Sequence, residues 1–540
     1  MNNSTRIHLL PRLALLGLLG FASVAAQAQT APTWASVQRI SGDSPSSGSG
    51  TYKVAVAPDG SQYVTGHFEG GITFGSISLT EGGGSGHIYL AKYSAAGAVL
   101  WATKIDASSS DLFSNVAVDA AGNAYLAGYF AGSLQVGTTA LTSSGNDAYV
   151  AKYNAQGVVQ WVRQGGTAGT FVQGVAVDAS GNVTLAGDCV SAVSFGGPGL
   201  AGNGPFLVKL SSTGTAQAPK RIGSRGFVNE MTLDGAGNAY VVGTFSGTAQ
   251  FGATSLTSAG TLDLFLAKLD PAGNVLWTQR DGGANEDNAL DVAVDGNGNP
   301  MVAGYYDGQG TTSFTSKIYV ARFSNQGTRL WSRQLGATTP DEDVANSVTY
   351  DGRGGYYITG SFASPIVFGT TTLTTQSQDV YVVRYDSQGN VLWAGQSTSS
   401  GGNAAGGLGL AADGAGNVYV GGGMFGTVTF GTQVSAGTTS SSFLAKLTPG
   451  GIVAATRPAL ARVNLAAFPN PAAGLTTLNL PAGGGHLAVV DALGRTVREQ
   501  ALPTAAGACP VSVAGLTPGL YQLRATFANG TVGTAALTVR

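Results

Sequence analysis

Three histidines follow the N-terminal leader region, His67, His87 and His486, and no two stand in a His-x-x-x-His or similar ligand spacing. Zinc chemistry therefore finds no donor set. Two cysteines in 540 residues make no disulfide framework. Cys189 takes a position that Phe68, Phe130, Phe245, Phe362 and Phe425 hold elsewhere, which reads as a small buried hydrophobe. No G-x-S-x-G nucleophile elbow sits on a strand-to-helix turn, and the many Gly pairs lack the following helix that a phosphate cradle needs. What remains is charge. Basic residues recur at Lys92, Lys152, Lys209, Lys268, Arg322, Arg384 and Lys446, and aspartates almost as regularly at Asp119, Asp178, Asp234, Asp295, Asp351 and Asp413. A ring of cations could hold an anion, but pairing between the two sets, with aliphatic stems packed between repeats, is the more economical reading. A second acidic group comprises Asp111, Glu286, Asp287, Asp291, Asp341, Glu342 and Asp343. Asp111, Asp287 and Asp343 each stand five residues before a recurring apolar run and are the candidate ligand-binding residues. Such carboxylates could hold Ca²⁺ through hard oxygens; no D-x-D-x-D-G loop fixes that geometry, and a solvated acidic rim competes with it. No other cofactor is expected.

The elements that carry these residues come from a repeat. VAVDAAGNAYLAG at Val116 to Gly128 returns near Val54, Val175, Met231, Val292, Val348 and Leu410, giving seven units of about 60 residues. A second module follows each first one, as in VYVVRYDSQGNVLW from Val380 to Trp393. Each module is two alternating runs joined by a turn, in which the Asp bonds the backbone and the Gly supplies a positive φ. Two hairpins make a four-stranded antiparallel unit, and seven such units read as an all-β, seven-bladed β-propeller. A longer segment ending in Phe-Gly lies between the hairpins (Phe74, Phe195, Phe251, Phe368, Phe430). The six tryptophans fall in one slot, the last strand of a unit, and Trp34 precedes the first unit. The segment from Trp34 to Ile40 is therefore expected to supply the outer strand that the seventh unit lacks, beside the Ala454 region. The alternative, an open solenoid, would want polar caps at both ends.

Composition agrees with this reading. With 83 Gly, 43% hydrophobic residues and a net charge of −2, the chain has the makings of a large core. It has no basic patch for nucleic acid or an anionic membrane. Residues 1–28 have the parts of a secretory signal: Arg6 and Arg12, an apolar run from Leu13 to Ala26, and a small-residue site that places cleavage between Ala28 and Gln29. No later run is long enough to span a bilayer, so no transmembrane segment is expected in the mature chain. The expected organisation is a signal peptide at 1–28, the propeller at 29–457, a linker at 458–467 and a small Ig-like β-sandwich at 468–540.

The recurring D-x-x-G-N-x-Y-V-x-G resembles the bacterial β-propeller repeat family, which implies the fold and brings no shared activity. The C-terminal segment carries Pro469-Asn470-Pro471, the turn Asp491-x-x-Gly494-Arg495, Leu516-x-Pro518-Gly519-x-Tyr521 and a final strand. These resemble the type A sorting domain of the type IX secretion system found in Bacteroidota. That resemblance implies a secreted protein, extracellular or on the outer-membrane surface, with the secretion machinery as partner. The function expected is a surface or secreted binding protein for a glycan or protein ligand; a carbohydrate-active enzyme and a structural surface-layer component are the alternatives.

Overall fold

The computed structural model describes residues 31–42, 50–80, 86–109, 112–166, 168–307, 316–336, 343–450, 462–492, 495–528 and 531–540. Within them every regular element is a strand, and no helix is long and apolar enough to cross a membrane. The expected signal peptide at 1–28, the Ala454 region and Gly494 lie outside the described residues. The chain divides into two compact units, Ala31–Gly450 and one that includes Gly451–Arg540.

In the larger unit each of the first six repeats pairs four strands antiparallel in simple chain order, as in Phe227–Leu233, Ala239–Phe245, Asp263–Leu269 and Val275–Asp281. The inner hairpin turns are built from the aspartates. Asp119 Oδ1 accepts from the backbone N–H of Ala121 and Asn123, both at 2.9 Å, while Gly122 takes φ +77°. A side chain that bonds its own turn, followed by a residue free to adopt the left-handed region, closes the hairpin without strain. Innermost strands touch their neighbours in chain order, and Ala404–Ala412 also touches Gly50–Val56. A core cluster containing Val64, Phe74 and Tyr89 from the first repeat with Tyr419 and Leu444 from the seventh joins the two ends of the series.

The seventh sheet is completed by the N-terminal strand: Thr33–Gly42 pairs antiparallel with Ser440–Thr448. The register corrects one expectation. Trp101, Trp161, Trp277, Trp331 and Trp393 stand opposite the basic residue of their unit, but Lys446 is opposite Ser36, and Trp34 is opposite Leu447. Trp34 thus fills the slot of Val99, Val159, Val275 and Val391, against the Phe430-Gly431 turn, with its ring edge-on to Phe430 at 5.1 Å. The bulge between Trp34 and Ser36 matches the one between Val99 and Trp101 and its counterparts, so the offset comes from the tryptophan standing two residues earlier in its strand.

The Phe-Gly segments form short hairpins. That of the first repeat, Ile72–Phe74 with Ile77–Leu79, pairs with the N-terminal strand, and that of the seventh, Val428–Phe430 with Gln433–Ser435, pairs with Val391–Ser399 of the sixth. Each of these hairpins therefore caps the outer strand of the preceding sheet, covering an edge that would otherwise be open.

The C-terminal unit has a five-stranded and a three-stranded sheet over one core of Leu478, Leu487, Val489, Val511, Leu523 and Leu537, with Cys509 among them.

Candidate functional site

Two of the three carboxylates singled out by their spacing are buried. Asp111 lies outside the described residues. Asp287 and Asp343 are 0% and 1% exposed. Asp287 Oδ2 accepts from the Gly283 N–H at 2.5 Å and Asp343 Oδ1 from the Ala363 N–H at 3.2 Å, so both carboxylates serve the backbone around them. The solvated reading fails because the first strands start earlier than the repeat motif; Asp287 is already a strand residue, in Asp287–Val294. Among the described residues no group of three or more His, Cys, Asp or Glu side chains is placed to hold a metal ion.

The recurrent basic residues belong to the joints between sheets. Lys92 Nζ donates to Ala155 O at 3.3 Å, Lys152 to Ser212 O at 3.2 Å and Arg322 Nη1 to Ser387 O at 3.0 Å, in each case the outer turn of the next repeat. The tryptophan indoles donate to the same carbonyls, as Trp101 does to Ala155 O at 3.1 Å. Arg322 and Arg384 also pair with Asp295 and Asp351, both at 2.6 Å, and six of the seven cations lie over a tyrosine, as Lys92 does over Tyr63 at 5.0 Å. These bonds leave the cations committed to the scaffold.

A different register position gathers a further set of buried charges in the larger unit. The residue just before each repeat motif is Lys53, Asn115, Gly174, Glu230, Asp291, Ser347 or Gly409, on the innermost strand. In the structure five of these meet across repeats. Lys53 Nζ is 2.5 Å from Glu230 Oε2 and 3.8 Å from Asp291 Oδ2. Asn115 donates to Glu230 Oε2 at 2.9 Å, and the Ser347 hydroxyl donates to Asp291 Oδ2 at 2.5 Å. Burial opposes the Lys53 charge, but Asp291 and Glu230 outweigh it and raise its pKa. Spacing gave no notice of this hub, because its members share a position and not a residue type.

Beside the hub the chain places rings, on the first strands one to three residues before the hub position (Tyr52, Phe113, Phe171) and on the second strands at His67 and Tyr129. His67 stacks on Tyr52 (5.0 Å between centroids, 14°), Tyr52 on Phe113 (5.9 Å, 28°) and Phe113 on Tyr129 (5.8 Å, 13°). Tyr129 then meets Phe171 edge-on at 5.1 Å. All five are only partly buried, and Phe227, at the register position of Phe113 and Phe171 in the next repeat, is 58% exposed. Parallel rings at such separations are slipped past one another, which leaves part of each face uncovered. Burial lowers the His67 pKa, so the imidazole is neutral at neutral pH. His67 Nδ1 and Gln173 Oε1 are enclosed and have no hydrogen-bond partner among the described residues. Asp188, paired opposite Phe171, is pushed up to about 7 by burial.

The C-terminal motifs are structural fasteners. Asn470 accepts from the Thr538 N–H at 2.8 Å and donates to Ala536 O at 2.9 Å, tying the Pro469-Asn470-Pro471 segment to the last strand. Asp491 accepts from the Arg495 N–H at 3.0 Å and from its Nε at 2.8 Å across the turn. Gly519 opens the strand Gly519–Phe527, and the Tyr521 hydroxyl donates to Thr517 O at 2.8 Å. Residues 466–537 match the secretion system C-terminal sorting domain. This sorting domain marks the protein for delivery by the type IX system to the cell surface or extracellular space, which makes the secretion machinery its partner. Among curated proteins, the chain is similar to an uncharacterized WD repeat-containing protein, L264, of Acanthamoeba polyphaga mimivirus: 25% identical over 395 residues, 55% of this chain and 28% of the relative. It is also similar to the regulatory protein FlaEY of Caulobacter vibrioides, 26% identical over 210 residues, 34% of this chain and 22% of the relative. The chain thus spans about a quarter of the length of these relatives. Among solved structures, Sqt1 from Chaetomium thermophilum is 10% identical, with a TM-score of 0.36 over 76% of this chain and 100% of that one.

Proposed function

We propose that the chain is a seven-bladed β-propeller of the bacterial propeller-repeat type, followed by an Ig-like sorting sandwich, and that it serves as a binding protein outside the cell. Residues 1–28 act as the signal peptide, 29–457 form the propeller, 458–467 the linker and 468–540 the sorting domain. Seven repeats, the contact between Ala404–Ala412 and Gly50–Val56, and the N-terminal strand seated on the seventh sheet all support the ring. The observation that carries the binding role is the row of partly exposed rings from His67 to Phe171. Solvent-facing aromatic surface held rigidly on strand ends costs hydrophobic free energy unless something covers it. A purely structural component has no use for such a row.

The test is to present the mature chain, residues 29–540, to a glycan array and to a panel of purified extracellular proteins. Selective binding to a member of either panel, lost in the Phe113→Ala/Phe171→Ala double variant, is the expected result. No binding to either panel would return the choice to a structural surface component.

A further inference from the structure

We infer that the aromatic row takes an uncharged oligosaccharide, its pyranose rings lying along Tyr52, Phe113, Tyr129 and Phe171 and its hydroxyls reaching Gln173 and His67. The inference rests on the binding role proposed above and adds the ligand's chemical class.

Three observations select that class. The rings follow one another across three repeats at centroid steps between 5.0 and 5.9 Å, which suits an extended chain of flat units better than one bulky group. A pyranose has a face of C–H groups, slightly positive and apolar, that complements the negative face of an aromatic ring. Both enclosed atoms without a partner, Gln173 Oε1 and His67 Nδ1, belong to uncharged groups, and Gln173 Oε1 can only accept. A hydroxyl-bearing ligand supplies donors for it, and an apolar peptide side chain does not.

The charges nearby exclude the main competitors. An anionic glycan would approach the carboxyls of Glu230, Asp291 and Asp188, with Lys53 the one cation of the hub and already bonded to Glu230. A lysine- or arginine-bearing peptide could stack on the same rings, but it would need a carboxylate to spare. Glu230 is engaged by Lys53 and Asn115, Asp291 by Ser347 and the Val348 N–H, Glu286 by the Tyr305 hydroxyl, and Asp188, whose pKa burial raises to about 7, by the Val228 N–H. Neutral sugar makes no such demand.

The experiment titrates the mature chain calorimetrically with neutral oligosaccharides (β-1,4- and β-1,3-glucan, mannan and xylan hexamers), with an oligogalacturonate, with a chitosan oligomer and with an arginine-rich peptide. At least one neutral oligosaccharide binds, and Phe113→Leu, which keeps apolar bulk but removes the ring face, weakens it about fivefold to tenfold. Gln173→Leu weakens it by up to about tenfold through the lost hydrogen bond. Unchanged melting temperatures show that neither variant acts through folding. Binding confined to the charged probes, lost in Phe113→Leu, would overturn the neutral class while leaving the binding face in place. Neutral binding at full strength in both variants would overturn the site itself. Silence from every neutral probe would overturn the inference, and the broader array then decides whether the binding role survives.

Discussion

Lys53 holds the hub together, because it is the one cation among Glu230 and Asp291 and all three are largely removed from water. Removing one member of a buried pair leaves the other desolvated and uncompensated. Lys53→Met is therefore expected to cost about 3–5 kcal/mol in urea unfolding. Glu230 escapes part of that cost by taking a proton, so the variant should lose less at pH 5 than at pH 8. A loss independent of pH would mean that Glu230 is not left as an uncompensated charge. Asp188 makes a second, separable prediction. Its folded pKa is raised from 3.8 to about 7 by burial, so the folded state holds a proton that the unfolded chain has already released. The stability Asp188 contributes is full below about pH 4 and declines as pH rises towards 7, by up to about 4 kcal/mol. Asp188→Asn should flatten that part of the stability–pH curve; a curve unchanged by the substitution would show that the carboxyl titrates normally in the fold.

At the level of elements, the N-terminal strand does what no other described strand does, completing a sheet more than 400 residues away, with Thr33 paired to Thr448. Its anchor is Trp34, 9% exposed and packed in a cluster with Val428, Phe430, Phe443 and Leu447. Trp34→Ala is expected to cost about 3–5 kcal/mol, read as a lowered midpoint in thermal or urea unfolding. A change below about 1 kcal/mol would show that the seating of the N-terminal strand does not depend on this side chain. The hairpin turns were legible in the sequence because their chemistry is local: Asp, Gly and Asn within five residues dictate the turn, and they recur. The N-terminal strand was legible from a missing partner, although its register was not. Trp34 stands two residues earlier in its strand than the other tryptophans do in theirs, where it packs against Phe430, and the tryptophan spacing says nothing of that contact. The hub and the ring row escaped notice for a related reason. Lys53, Glu230 and Asp291 come from the first, fourth and fifth repeats, and the aromatic row from three repeats, so their proximity exists only once the inner strands are gathered together. Asp287 and Asp343 misled in the opposite direction: carboxylates between repeats suggest solvent, yet backbone N–H groups waiting at the start of a strand can bury them.

For the molecule as a whole, the two compact units have separate cores and separate tasks. The sorting domain closes its own sheets through Leu478, Leu487, Leu523 and Leu537, and its motif residues bond within it: Asn470 to the last strand, Asp491 to Arg495 and Tyr521 to Thr517. The repeat unit is stabilised by clusters that each span neighbouring repeats and draw on no residue beyond Leu447. A unit with its own core retains its fold when its neighbour is removed. Deleting residues 463–540 should therefore leave a repeat unit that melts at the same temperature as in the full chain and still binds whatever the mature protein binds. Delivery is the property that should disappear, because the address lies wholly in the deleted segment. Whole-cell labelling and fractionation separate the two effects: the truncated chain should be folded, protease-resistant and retained inside the outer membrane. Surface display at full-length levels would show that the repeat unit carries a delivery signal of its own. An unfolded or degraded truncation product would show instead that the repeats depend on contacts with the C-terminal unit.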